Sequence, residues 1–209
     1  MRRIRTFLIT TVAATTALAL GAGPALAAPP TPPSASTAAT ELASLTVKAE
    51  GTTTGYSRDL FPHWIIQSGT CDTREEVLKR DGTGVKVDSS CHPTAGSWYS
   101  VYDKQTFTNS SDVDIDHIVP LAEAWKSGAN TWTTAKRQEF ANNLTISQLI
   151  AVSASSNRSK GDKDPSEWKP TNTAVHCMYA RYWIWVKYTY KLSLQSTEKT
   201  ALQQMLGTC

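Results

Sequence analysis

The sequence predicts an α+β domain, and three observations carry the prediction: short stretches that alternate as strands do, longer stretches of helical composition, and an even set of four cysteines. The 209 residues are 40% hydrophobic and 19% charged, which suits one modest globular domain and excludes a low-complexity polymer or a polytopic membrane protein. Seven Trp and seven Tyr provide the bulk for its core. The formal charge of +3 comes from Arg2, Arg3 and Arg5, beyond which basic and acidic residues balance. Affinity for an anionic polymer must therefore come from a local patch.

Residues 1–27 read as an export signal, with those arginines, an apolar stretch from Phe7 to Leu20 and the small-residue cleavage site Ala25-Leu26-Ala27. A membrane span needs ~20 apolar residues, more than this stretch offers. The expectation is a secreted monomer with no membrane anchor, and Arg2-Arg3 leaves the export route open. Residues 28–44, rich in Pro and small polar residues, predict a flexible leader to a domain over 45–209.

Cys71, Cys91, Cys177 and Cys209 allow three pairings. Cys71 with Cys91 and Cys177 with Cys209 close the most local loops. No pair has the spacing of a zinc knuckle.

Thr73 and Glu76 have capping-box spacing, and Gly82 follows as a stop, so a helix is predicted over 74–81. Residues 85–87, 98–102 and 105–107 read as a small antiparallel sheet with a turn at Asp103-Lys104. Residues 112–120 alternate acid and aliphatic before Pro120, which cannot continue a ladder, so a strand delivers Asp116 and His117 to its end. Helical composition follows over 121–127 and 133–142, broken at Ser127-Gly128, and 148–152 suits a buried strand. Ser153 or Ser155 can cap a helix bearing Asn157, Arg158 and Lys160 and ended by Gly161. Asp164-Pro165-Ser166-Glu167 predicts a turn of helix presenting Trp168. Two helices, about 173–191 and 197–206, complete the chain, with Tyr182, Trp183, Trp185, Tyr188 and Tyr190 spaced for core packing.

Asp116-His117-Ile118-Val119-Pro120, then Gln148-Leu149, then Asn157-Arg158-Ser159-Lys160-Gly161 form one ordered constellation. It resembles the HNH nucleases of the ββα-metal superfamily, and most closely the secreted bacterial ones, through DHIVPLAEAW, FAN, NRSKGD and PSEW between Asp116 and Trp168. Tyr56-Ser57-Arg58-Asp59-Leu60 and Cys71-Asp72-Thr73-Arg74-Glu75 resemble the same group. The resemblance implies a ββα-metal finger core wrapped by additional helices, and an endonuclease acting on DNA or RNA. It also implies a divalent cation, magnesium before manganese or calcium, held by Asp116 and Asn157.

The residues suit that chemistry independently. Imidazole titrates near neutrality, so His117 is the natural base for activating water. Hard oxygen ligands suit a magnesium-like cation beside phosphate. Asn157 and Lys160 share a helix face, which would bring the lysine to a neighbouring phosphate, with Arg158 a less direct contact. Arg58, Arg74 and Arg137 are candidates to line a phosphate groove, of which the resemblance favours Arg58 and Arg74, and Glu123 is expected to orient His117 or a metal-bound water. Asn142 ranks above Gln148 as the brace of the loop carrying the histidine.

Strand geometry adds one condition. His117 falls on the face of Val113 and Ile115, whereas Asp116 falls opposite with Asp112 and Asp114. Shared work at one phosphate therefore predicts a distorted strand end before Pro120. His63, His92 and His176 lack partners at ligand spacing and read as structural. The rival reading is a non-catalytic cell-wall or carbohydrate-binding module using the C-terminal aromatics.

Overall fold

Three small antiparallel sheets and seven helices make up residues 29–209, the part described by the computed structural model. The expected export signal at 1–27 lies outside the described residues. No helix among the described residues is long and apolar enough to cross a membrane.

The leader is the first correction. Residues Ala35–Ser44 form helix α1, capped by the Ser34 hydroxyl, which accepts from the Thr37 amide. Ala38 and Leu42, one helical turn apart, are buried in the main core. The preceding prolines are tied down too: Arg181 donates to the Pro33 carbonyl at 2.6 Å and to that of Pro32 at 3.0 Å, and the Ser147 hydroxyl donates to the Pro30 carbonyl. Two apolar side chains and a guanidinium fix a segment whose composition alone suggested disorder.

Strands β1 (Ile66–Ser68) and β2 (Cys71–Asp72) make a short hairpin into α2 (Thr73–Asp81). The capping box sits one residue earlier than expected: Asp72 accepts from the Glu75 amide, and the Glu75 carboxylate accepts from the Asp72 amide. The Thr73 hydroxyl instead donates to Asn142 Oδ1 at 2.7 Å. Gly82 ends α2, and β3 (Gly82–Val87), β4 (Pro93–Ser100) and β5 (Gln105–Phe107) form the predicted sheet. The middle strand begins earlier than its alternation suggested and stops at Ser100.

β6 (Val113–His117) pairs antiparallel with β7 (Leu149–Ser153), and α5 (Ala154–Lys160), capped by Ser153, packs back across both. Between the strands run α3 (Leu121–Lys126) and α4 (Thr134–Ala141). The ladder holds its register from Val113 opposite Ser153 to His117 opposite Leu149. The predicted distortion before Pro120 is therefore absent through His117.

Helices α6 (His176–Tyr190) and α7 (Ser196–Leu206) close the core. Tyr179, Trp183 and Tyr190 are buried in it, whereas Tyr188 is exposed. Most of the aromatic segment thus fills the interior, which removes the main support for the carbohydrate-module reading.

Both disulfides pair as the loop argument favoured, Cys71 with Cys91 and Cys177 with Cys209. The second ties the start of α6 to the C-terminus across a separation of 32 residues. Replacing both of its cysteines by serine should lower the unfolding free energy by ~3 to 4 kcal/mol in the chain-entropy picture. Urea titration of the oxidised protein reads the change. An unaltered midpoint would mean that packing alone holds the two ends.

Candidate active site

His117 ends β6 nearly buried, at 5% exposure. Its Nε2 lies 2.9 Å from the Ala141 carbonyl oxygen at the end of α4. A carbonyl only accepts, so the proton sits on Nε2 and Nδ1 carries the free lone pair. Burial, the largest influence, pulls the imidazole down to about 3 despite the opposing Ala141 hydrogen bond, and the positive charges of Arg58 and Lys160 push the same way. At neutral pH the ring is an uncharged base with one nitrogen already committed.

Asp116 points to the other face of the ladder. The Tyr102 hydroxyl donates to its Oδ2 at 2.6 Å, and Lys160 Nζ donates to its Oδ1 at 2.7 Å. The same Nζ donates to the His117 carbonyl at 2.8 Å, so one ammonium clamps both residues of the strand end. Burial pushes the Asp116 carboxyl up and the Lys160 ammonium down, each resisted by the other's charge. Tyr102, fully buried, keeps its proton because burial and the nearby carboxylate raise it well above the usual phenol range. Neither its chain position nor its spacing marks it in the sequence.

A cleft of about 190 Å³ opens beside these residues, lined by Ile115, Asp116 and His117 together with Asn157, Arg158 and Arg58. Three consecutive strand residues can border one cleft only along the strand's edge, since alternate side chains leave opposite faces. β6 has a ladder partner on one side alone among the described strands. The cleft meets these residues along that edge, while the straight ladder keeps the Asp116 and His117 side chains on opposite faces, so the bend expected for their shared work at one phosphate is not found. Asn157 Nδ2 donates to Asp114 Oδ2 at 3.1 Å, and its Oδ1 has no donor among the described residues. The exposed Arg158 lies 3.5 Å from the same Asp114 oxygen.

The sequence profile of the C-terminal domain of GmrSD restriction endonucleases matches residues 72–205, a span that holds β6, β7 and α5. The chain belongs to this family. An uncharacterized secreted protein of the fungus Arthroderma benhamiae is 59% identical over 181 residues, 87% of this chain and 89% of its own length. No solved structure matches the chain. The GmrSD C-terminal domain places it in a nuclease family, while a fungal relative gives the expected bacterial grouping no support.

Within this GmrSD-type domain, several expected roles fall elsewhere. Lys160 is fully buried against Asp116 and does not border the cleft, so it is not placed to touch a phosphate. Helical spacing put it on the correct face but could not show that a strand acid lies between it and solvent. Arg74 donates to the Ser110 and Val113 carbonyls at 3.0 and 3.2 Å, bracing the start of β6 away from the cleft.

Glu123 neither contacts His117 nor borders the cleft. It is 1% exposed and accepts from Lys187 Nζ at 2.8 Å and from the Ser127 hydroxyl at 2.6 Å. Lys187 also bonds Glu198 at 3.0 Å, and Trp183 Nε1 donates to Glu198 at 2.6 Å. The acid of α3 belongs to a buried ionic cluster joining α3, α6 and α7.

The ranking of the two braces is reversed. Gln148 holds the turn after His117: its Oε1 accepts from the Val119 amide at 3.2 Å, its Nε2 donates to the Val119 carbonyl at 2.9 Å, and its own carbonyl accepts from the Ile118 amide at 2.8 Å. Asn142 instead secures the 62–65 segment, donating to the Pro62 carbonyl at 2.7 Å and accepting from the Ile65 amide at 3.2 Å.

Proposed function

We propose that this chain is a secreted, divalent-metal-dependent endonuclease of the HNH type that hydrolyses phosphodiester bonds of DNA with little sequence selectivity, with RNA as the second substrate to test. The observation that carries the reading is the locked His117 tautomer: Nε2 held by a backbone carbonyl, at the edge of a cleft that also holds Arg58, Arg158 and Asn157. Membership of a restriction-endonuclease family supports the substrate class. Secretion is supported by the secreted relative, by the signal-like residues 1–27 and by two disulfides, which persist in oxidising compartments.

The oxygen donors at the cleft fit a hard cation. Each Asp116 carboxylate oxygen accepts one hydrogen bond and keeps a second lone pair, and Asn157 Oδ1 is unengaged. No group of three or more His, Cys, Asp or Glu residues among the described ones forms a metal cage. A magnesium-like ion does not require one, because it retains waters and takes substrate oxygens. Asp116 and Asn157 are the residues that would hold it. When bound, such a cation supplies Lewis-acid stabilisation of charge on the phosphate and on the departing alkoxide.

The chain's own groups then do the following. His117 Nδ1 takes a proton from the attacking water as its oxygen bonds to phosphorus. The bond from phosphorus to the departing sugar oxygen breaks, and that oxygen takes its proton from solvent. Arg58 and Arg158 bind backbone phosphates, and these contacts carry no base information. Lys160 and Tyr102 hold both Asp116 oxygens in place and oppose the upward push of burial on its carboxyl, and Gln148 fixes the turn that follows the base.

A plasmid-nicking assay of the oxidised protein with and without chelator tests the reading. Chelation should stop cleavage and added magnesium restore it. Asn157→Ala should shift the magnesium titration to ~10-fold or more higher concentration, as loss of a metal-orienting group does. Cleavage indifferent to chelator would sink metal dependence, and a substitution that leaves the titration unmoved would remove Asn157 as a ligand.

A further inference from the structure

The GmrSD profile begins at residue 72, yet one wall of the cleft comes from before it. Arg58 opens a 3-10 turn, Arg58–Leu60, capped by the Ser57 hydroxyl, and borders the cleft with His117 and Asn157. Its Nε donates to His63 Nε2 at 3.3 Å. His63 Nδ1 lies 2.9 Å from the Phe61 carbonyl, so the proton is on Nδ1 and Nε2 is free to accept from the guanidinium. This tautomer orients Arg58. The remaining guanidinium donors have no protein partner among the described residues, and Asp162, which borders the same cleft, makes no ion pair with it.

The next residue is conformationally costly. Trp64 has φ 58, the left-handed region that bulky residues rarely adopt and that persists where surrounding contacts enforce it. Its ring centroid lies 5.6 Å from that of His117, with the planes at 33°. The enforcing contacts are Asn142 on the Pro62 carbonyl and the Ile65 amide, and the Thr73 amide on the Ile65 carbonyl at 3.0 Å. A strained aromatic, a histidine in a fixed tautomer and an arginine with unused donors thus lie within seven successive positions, anchored by the domain beside His117.

We propose that residues 58–64 are a substrate-binding arm added in front of the GmrSD domain, in which His63 is a positioning residue that holds Arg58 for a backbone phosphate of nucleic acid while Trp64 walls His117. This rests on the nuclease reading for its substrate. Arg58 makes the contact, and His63 acts through Arg58.

The test compares Arg58→Ala, His63→Ala, His63→Gln and the Arg58→Ala/His63→Ala double variant. KM and kcat are read in cleavage, and affinity for a fluorescent DNA duplex is read by anisotropy across a salt series in a His117→Ala background. His63→Ala should raise KM ~5- to 10-fold with kcat within about twofold, and lower the salt slope by up to about 0.9, the value for one phosphate contact. The double variant should be no worse than Arg58→Ala. Glutamine, whose amide oxygen can accept from a guanidinium, should recover most of the affinity, which also excludes a folding defect as the cause of the loss. Additive effects of the two alanines, or a fall in kcat at constant KM, would overturn the arm, as would unchanged binding. If the unaltered protein cleaves nothing, the nuclease reading fails by itself, and the anisotropy series still decides whether His63 works through Arg58.

Discussion

Cleavage by the His117→Ala protein falls by ~10²- to 10⁴-fold, the range that a positioned general base contributes, while its magnesium titration midpoint stays where the unaltered protein has it. The separation of the two effects follows from the geometry. His117 offers Nδ1 to water because the Ala141 carbonyl holds Nε2, whereas Asp116 and Asn157 lie on the other side of the ladder. The substitution also leaves the Ala141 carbonyl without its donor, costing about 1–3 kcal/mol of stability, so the assay is run well below the melting temperature with circular dichroism as the control. A rate within about tenfold of the unaltered protein's would mean that another group activates the water.

Lys187→Met lowers the unfolding free energy by about 3–5 kcal/mol, the cost of stripping a buried ion pair of one partner. Lys187 is fully buried, and Glu123, Glu198, the Ser127 hydroxyl and the Ser193 carbonyl all lie within 3.0 Å of its ammonium, sharing its three donors. The charges of Glu198 and Glu123 raise its pKa in spite of burial. Although burial opposes it, Glu123 is held below the ordinary carboxylate range by Lys187 and then Lys126. Glu198 goes the other way: burial and the charge of Glu123 push it up to about 7 against the pull of Lys187. One ammonium thus serves two carboxylates, and the second is the more easily protonated.

The pH dependence has a definite sign. A carboxyl whose folded pKa lies above its unfolded one takes up a proton on folding, so its contribution favours the fold at low pH and declines as pH rises from about 4.5 to 7. Glu198→Gln should flatten that decline, and Lys187→Met should steepen it by leaving two carboxylates to repel each other. Urea midpoints between pH 4.5 and 8 measure both. A Lys187→Met protein as stable as the original would show that the cluster is dispensable to the fold.

Much of this molecule was legible locally. Alternation over 112–120 located β6, and Ser127-Gly128 broke two helices where the backbone turns, with Gly128 at φ 132. Loop closure favoured the observed disulfides because short separations close at least entropic cost. Helical spacing put Asn157 and Lys160 on the face that meets β6.

The misses share one physical cause. Lys160 finds Asp116 across 44 residues, Glu123 finds Lys187 across 64, and Gln148 finds Val119 across 29. Periodicity assigns a side chain to a face from the few residues around it, but not which distant segment covers that face. Tyr102 carries no signature at all, since only the packed fold sets its hydroxyl 2.6 Å from Asp116. The short helix at Ala35–Ser44 escaped notice because it has only two buried apolar anchors and depends on contact with the rest of the core.

The sequence by itself determined the order of strands and helices, favoured the observed cysteine pairing and placed Asp116 and His117 at the end of a strand. Only the tertiary structure decided that β6 runs straight through His117, that Lys160 and Glu123 are sealed inside, and that Gln148 braces the histidine turn. Local backbone preference acts over a few residues, whereas the partner of a buried charge is chosen when remote segments meet and water leaves.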